Sequence, residues 1–552
     1  MKSFVAIVFV LLAAAVAGGG VPEETDTMVR IYTGPVFWTG DPALPEAAAV
    51  AVGADGRILE TYGVVPRDTP WEIVELPGAL ALPGLHDAHL HVSGIGKRCE
   101  QAALEGARSA LEARDLVAAW AAANPDVAVV RGRGWDQSRW PGGAFPTWRD
   151  LEGAGARPMV LRRVDGHASW VNRAMLDLAG ITAATPDPEG GRILRDAQGE
   201  PTGVLVDNAA DLLTPVLPRS TTADQERWLL AGLAACADAG LTAVHDMGQT
   251  PETCDIAQRL ADEGRLPIRL FVYLEGSETG SMAALGRYRA VDRFAVRGMK
   301  YYTDGALGSR GALLLADYSD EPGRRGLAVT DALILTDLVR EVHRRGFQCA
   351  IHAIGDGGNR MALDAIAAAQ APDTTVTVSR RHRVEHAQVV HPDDFARFAA
   401  LGALASVQPT HCTSDLRWAE QRLGPDRVRG AYAWRTFLDH GVHLPLGSDA
   451  PVEDWNPLPG VYAAITRQEP DGDPAGGWHP EQSLTLTEAL RGFTAEAAFA
   501  VGREGDLGVL RPGLQFDCTV LDRDPRAGDP TGGWRRSRRR CSWAGNACAE
   551  HI

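Results

Sequence analysis

Lysine is almost missing from this 552-residue chain: of 55 basic residues only Lys2, Lys97 and Lys300 are lysines. Arginine serves wherever a solvated positive charge is enough, but it cannot act as a neutral amine. A lysine kept inside an apolar strand, as Lys300 is in GMKYYTDG, therefore marks a place to look for that chemistry. Positive charge is scarce overall. The net charge of −16 excludes nucleic acid or an anionic lipid surface as the main partner, because phosphates call for a basic face. Cysteine is sparse too, eight in all, which excludes a disulfide scaffold. Cys99, Cys236, Cys254, Cys349, Cys412 and Cys518 are dispersed and read as small packing residues. Cys541 and Cys548 bracket a short SWAGNA segment, where export would permit a local bridge. Past residue 17 no uncharged apolar run reaches membrane-spanning length. What is present is a 45% hydrophobic composition with 60 glycines and 34 prolines in no period, which excludes disorder and collagen-like repeats. The length suits a large buried core with one or two satellite units.

The first residues read as an export signal over 1–17. Met1-Lys2 is a short basic start, Phe4 to Ala17 is an unbroken apolar run, and Ala15-Val16-Ala17 fits an A-x-A cleavage site. The implied destination is periplasmic or extracellular, with a retained N-terminal anchor as the minor reading.

From 28 to 80, short apolar runs broken by Gly, Asp and Pro (VRIYTG, AVAVGADGRILE, WEIVELPG) have β-meander texture, which returns at 505–522. Two β-rich ends, 28–80 and 500–545, predict a small β-sandwich built from both chain ends. Between them, over 81–495, apolar runs at 81–91, 241–248, 267–275, 296–305, 347–353, 381–387, 403–411 and 442–450 read as strands. From the second onward they alternate with helical stretches. That pattern predicts an α/β fold, a (β/α)8 TIM barrel, with a large insertion at 92–240 after its first strand that forms a lid or subdomain over the mouth. The RRSRRR run at 535–540 reads as a solvated basic tail.

His89 and His91 are two apart on the first strand, so both side chains point to one face and form a chelating pair for zinc or a similar divalent metal. His86 has the opposite parity and reads as a packed or partly exposed residue; Asp87 shares the ligands' parity and supports them. His352, His386 and Asp449 each end a later strand, where loops open onto the catalytic face of such a barrel. With Lys300 at the corresponding depth, six ligand candidates result.

These residues carry a family resemblance. Through PGLHDAHLH, Lys300, His352, His386 and Asp449, in that order, the chain resembles the amidohydrolase superfamily. Through GRGWDQSRW, VDGHASWVN, GLTAVHD, MKYYTDGALGSRGA, IHAIGDGGNR, RVEHAQ, QPTH and GSDAPVEDWNP it looks like the group containing N-substituted formamide deformylases. The resemblance implies one or two divalent metals, zinc by preference: His89 and His91 with Asp449 at one, His352 and His386 at the other, and Lys300 bridging as an N6-carboxylated lysine. It implies a hydrolase of non-peptide carbon–nitrogen bonds in a small-molecule substrate, an N-substituted amide or formamide. A metal-activated hydroxide would attack, and Asp449 would act as general base and then acid. The C-terminal end departs from the pattern, an Arg-rich, Cys-containing tail standing where a second sandwich strand is usual.

His411, just past the seventh strand, is a candidate for the substrate carbonyl or developing oxyanion. Trp135, Asp136, Asp165 and His167, with Gly166, are substrate-binding candidates in the insertion. His245 and Asp246 read as supporting or core residues, Lys97 as a rim residue, and Cys412 as inert. Homo-oligomers are compatible with all of this. Three rivals remain. A mononuclear deaminase would pair the fifth-strand histidine with a nearby glutamate, absent after His352; a lactone or ester hydrolase would use the same metals; a non-catalytic secreted binding protein would have lost ligands.

Overall fold

A computed structural model describes residues 29–164, 168–188, 191–371 and 380–526, and the backbone of 539–542. The signal reading at 1–17 and Cys548 lie outside the described residues. The central sheet has seven parallel strands, each neighbouring the next in sequence: β1 (Leu85–Leu90), β2 (Leu241–Gln249), β3 (Arg269–Glu275), β4 (Phe294–Tyr302), β5 (Gln348–Ala353), β6 (Arg383–His386) and β7 (Leu404–Ser406). Helices such as Pro251–Asp262, Ala332–Arg344 and Asp356–Gln370 connect them. The predicted eighth position, 442–450, forms no ladder. It is an extended segment that bridges β7 at Val407–Leu446 and β1 at Leu90–Ala450, so it nearly closes the barrel between the two edge strands.

The strands bury both faces, as parallel strands covered by helices do. β1 is buried along its whole length, polar residues included. One large apolar core runs around the barrel.

Strands from both chain ends join in one seven-stranded sheet: Arg30–Trp38, Glu46–Val52, Ile58–Tyr62, Glu72–Glu75, Leu80–Pro83, Cys518–Leu521 and Arg539–Ser542. Two expectations change here. The start of the 81–91 run belongs to this sheet, because Leu80–Pro83 pairs with Cys518–Leu521 and β1 begins only after Gly84. The run 535–540 is not wholly a tail, since Arg539–Ser542 pairs antiparallel with Cys518–Leu521.

Residues between β1 and β2 carry a separate six-stranded sheet, with Met159–Arg163 and Ala168–Val171 at its centre and Val130–Trp135 beside Met159–Arg163. Its core is packed around Trp135, Trp140 and Trp170. Among the described residues, no helix is long and apolar enough to cross a membrane.

Candidate metal centre and active site

The C-terminal end of β1 is held by its own sequence. Asp87 Oδ1 accepts the backbone N–H groups of both His89 and Ser448, each at 3.0 Å, and Asp449 N–H donates to His89 O at 2.6 Å. This locks the GSD turn against the HDAHLH strand. The approach is so close that a Cβ on Gly447 would stand 2.5 Å from His89 N, so only glycine fits. Burial pushes the Asp87 carboxyl up to about 7.

Three ligand atoms, from His89, His386 and Asp449, lie within 4.8 Å of one another. His91, expected on the same strand, lies one residue past β1 as the N-cap of helix Val92–Cys99, with its Nε2 3.2 Å from Asp449 Oδ1. The His352 ring lies 4.6 Å from the His386 ring, centroid to centroid. His411, on helix Pro409–Asp415, stacks on His386 and puts its Nε2 3.6 Å from Asp449 Oδ2. Lys300 is buried, with its Nζ 5.2 Å from the Tyr302 ring centre.

Alternation along β6 would send Glu385 and His386 to opposite sides, yet both reach His89. The reason is backbone: His386 (φ 70), Ala387 (φ 42) and Asp449 (φ 61) all sit in the left-handed region. Such conformations cost roughly 1–3 kcal/mol each and gather at functional sites.

Behind the cluster lies a charged network that sequence reading missed. Glu385 Oε2 is 2.6 Å from His89 Nδ1, so that nitrogen carries the proton and Nε2 faces the site. Arg383 grips both oxygens of Glu385 and also donates to Ala88 O and Ser406. Gln408 Oε1, 2.8 Å from His386 Nδ1, fixes that ring in the same way. The signal was present in RVEH: an arginine and a glutamate two apart share a face of the strand.

The electrostatics follow from burial and these contacts. Burial pushes the Glu385 carboxyl up, but Arg383 and His89 outweigh it and hold it well below the usual carboxylate range. Burial likewise raises Asp449, but the imidazoles of His89 and His91 outweigh it and keep it an anion. Burial and the Lys300 charge push His352 down to about 3, and burial pushes Lys300 itself below its ordinary value.

The donor set fits a divalent metal. His89 Nε2, His352 Nε2 and His411 Nε2 are buried and without a hydrogen-bond partner among the described residues, an arrangement that is costly unless something binds there. Imidazole nitrogens with one carboxylate are borderline donors of the kind zinc takes.

The other candidates lie elsewhere. Trp135 is fully buried in the insertion core and donates its indole N–H to Leu161 O, so packing occupies it. Asp136 caps the short helix Gln137–Arg139 and pairs with Arg163 at 2.9 Å. Asp165, Gly166 and His167 lie outside the described residues. His86, read as packed or partly exposed, is buried edge-on to His245. Asp246 Oδ2 accepts from Gln249. Cys412 is buried, with its thiol pushed up to about 12, which leaves no thiolate nucleophile.

Glu385→Gln should lower metal affinity roughly 10–100-fold, the usual effect of losing such an outer partner. Competition with a chromogenic chelator would measure it; an unchanged affinity would mean that Glu385 does not orient His89.

Known proteins resemble this chain over most of its length. The family described as "Amidohydrolase family" matches residues 72–532. YtcJ of Bacillus subtilis (strain 168), named provisionally as an amidohydrolase, is 32% identical over 493 residues, 87% of this chain and 90% of its own. N-substituted formamide deformylase of Arthrobacter pascens is 29% identical over 490 residues, 85% and 88% of the two chains. The crystal structure of a metal-dependent hydrolase from Pyrococcus horikoshii OT3 aligns at a TM-score of 0.74 and 26% identity, covering 91% of this chain and 98% of that one.

Proposed function

Because this chain belongs to the amidohydrolase family, we propose that it hydrolyses a non-peptide carbon–nitrogen bond in a small molecule, specifically an N-substituted amide or formamide. The observation that carries the reading is the set of buried imidazole nitrogens, unpartnered among the described residues, that gather around Asp449. The likeness to the Arthrobacter deformylase supports the formamide end of the range.

In this reading His89, His91 and Asp449 would hold one ion and His352 and His386 a second, and Lys300, as a carbamate, would serve as a further ligand. Zinc suits this donor set. An ion bound there supplies water activation near neutral pH and polarises the substrate carbonyl. The chain's own residues do the rest. Asp449, held ionised, takes the proton from the attacking water at a carboxylate oxygen and delivers it to the departing amine nitrogen. His411 donates toward the oxygen on which negative charge grows. Glu385 and Gln408 keep the His89 and His386 rings aimed. The eight-stranded count, the sandwich form of the terminal sheet and export with cleavage near Gly18 belong to the same proposal.

One observation favours a second reading. Among the described residues, the ligand cluster within 4.8 Å contains His89, His386 and Asp449 alone, which suits a single ion and a deaminase. Against it, the chain after His352 supplies Asp356 rather than a glutamate. Asp356 is buried, with its Oδ1 taken by the N–H groups of Leu315 and Gly357.

A substrate panel of N-substituted formamides, N-acylated amino acids, lactones and aminopyrimidines tests the proposal. Formate or carboxylate release from the amides is expected. Turnover confined to lactones or aminopyrimidines would overturn the amide reading.

A further inference from the structure

The seam between barrel and insertion gathers positive charge in a protein that is otherwise acidic. A cavity of about 400 Å3 there is lined by Lys97 and Arg98 of helix Val92–Cys99, Arg131 and Arg133 of strand Val130–Trp135, and Arg162 of strand Met159–Arg163. Among the described residues, no carboxylate lines it.

The placement follows from strand register. Arg131 and Arg133 are two apart and share a face. Arg162 stands directly opposite Arg133 on the adjoining parallel strand. Adjoining strands are about 4.8 Å apart, and like charges in facing positions weaken a sheet. Lys97 faces them from the barrel side.

Nearby arginines are matched by acids: Arg98 with Glu105, Arg163 with Asp136 and Arg227 with Glu100. Arg131, Arg162 and the Lys97 ammonium are not. Among the described residues their charged groups make no ion pair or hydrogen bond, and Lys97 rests on the Trp228 ring at 4.7 Å. Burial and the charge of Arg131 both push Lys97 below the usual lysine range. Among the described residues these three cations share one cavity with no carboxylate in its wall, while Lys97 and Arg131 also line an adjoining cavity that holds Glu100, Asp126 and Asp224.

The cavity also adjoins the catalytic loop. Pro451, two residues past Asp449, forms part of its wall, and Arg98 Nη1 donates to Pro451 O at 3.0 Å.

We propose that this cavity binds a small oxyanion, the phosphate or carboxylate group of a small molecule, which ties the barrel helix to the insertion sheet. Guanidinium groups on adjacent strands match the fork geometry that oxyanions accept.

The test uses the metal-loaded full chain in chloride buffer of low ionic strength, where screening is weak. Inorganic phosphate and succinate are titrated separately by calorimetry and by thermal melting. Saturable binding of at least one is expected, and the tighter identifies the head group. Arg131→Gln/Arg162→Gln should weaken that binding at least about tenfold, since each lost charge-assisted contact approaches a decade in Kd. Without added anion the double variant should melt at or above the parent midpoint, because a repulsion has been removed. Lys97→Gln repeats the test from the opposite wall, and decides it should the double variant fold poorly. Equal affinity in parent and variants would place the anion elsewhere, at the metal cluster for example, and would overturn the proposal. So would the absence of saturable binding to the parent.

Discussion

Asp449→Asn should lower kcat by about 10²–10⁴-fold, the usual worth of a positioned proton-transfer group, with the chain still folded. Asp449 Oδ1 stands 3.4 Å from His89 Nε2 and 3.2 Å from His91 Nε2, and Oδ2 stands 3.6 Å from His411 Nε2. Among the described residues, Asp449 is the one carboxylate grouped with His89 and His386. Asparagine keeps the shape, and the backbone bond from residue 449 to His89 O survives the change. It cannot accept a proton at neutral pH. The loss should therefore fall mainly on kcat, with KM changing less, because the missing step belongs to the transition state. Steady-state kinetics with circular dichroism on the same sample would check this. A loss smaller than tenfold would move the proton-transfer role to His411 or to solvent.

Lys300→Arg should abolish the two-ion arrangement and reduce turnover to background. Lys300 is fully enclosed on β4, beside the Tyr302 ring. Its backbone position is fixed by a neighbour: a Cβ on Gly298 would stand 1.9 Å from Gln348 O, so β4 and β5 are pressed together at that point. An arginine there would remain protonated and could not combine with carbon dioxide. Instead of an anionic bridge the site would hold a cation that repels metal. Lys300→Ala should be inactive as well, but short carboxylic acids in solution should restore part of its activity by filling the vacated bridge. Full turnover and unchanged metal content in Lys300→Arg would contradict the bridging role and reopen the mononuclear reading.

The candidate ligands were legible because each sits at a predictable place. His89 and His91 follow strand parity, His352 and His386 lie at the ends of β5 and β6, and Asp449 closes the apolar run 442–450 that nearly completes the barrel. What parity could not give was the joint approach of Glu385 and His386 to His89, which depends on a left-handed backbone at His386. No residue type there announces it. The Arg383–Glu385 pair was readable but was passed over as part of an ordinary strand. Its burial makes it consequential, since removing one partner of such a pair commonly costs about 3–5 kcal/mol. The boundary at Gly84 was hidden because ALPGLHDAHLH is apolar on both sides of it; only pairing partners show that Leu80–Pro83 joins the terminal sheet. Trp135 illustrates the reverse error. A tryptophan in a motif-like stretch suggested substrate contact, but its indole N–H is satisfied inside the insertion core.

The central claim is that the histidine–aspartate cluster is a metal centre that does hydrolytic chemistry. Elemental analysis of the full chain, purified after expression in zinc-supplemented medium, tests it most directly. The account predicts about two equivalents of zinc per chain, falling by one in His352→Ala together with activity. Protein with no stoichiometric metal that remained fully active would contradict it.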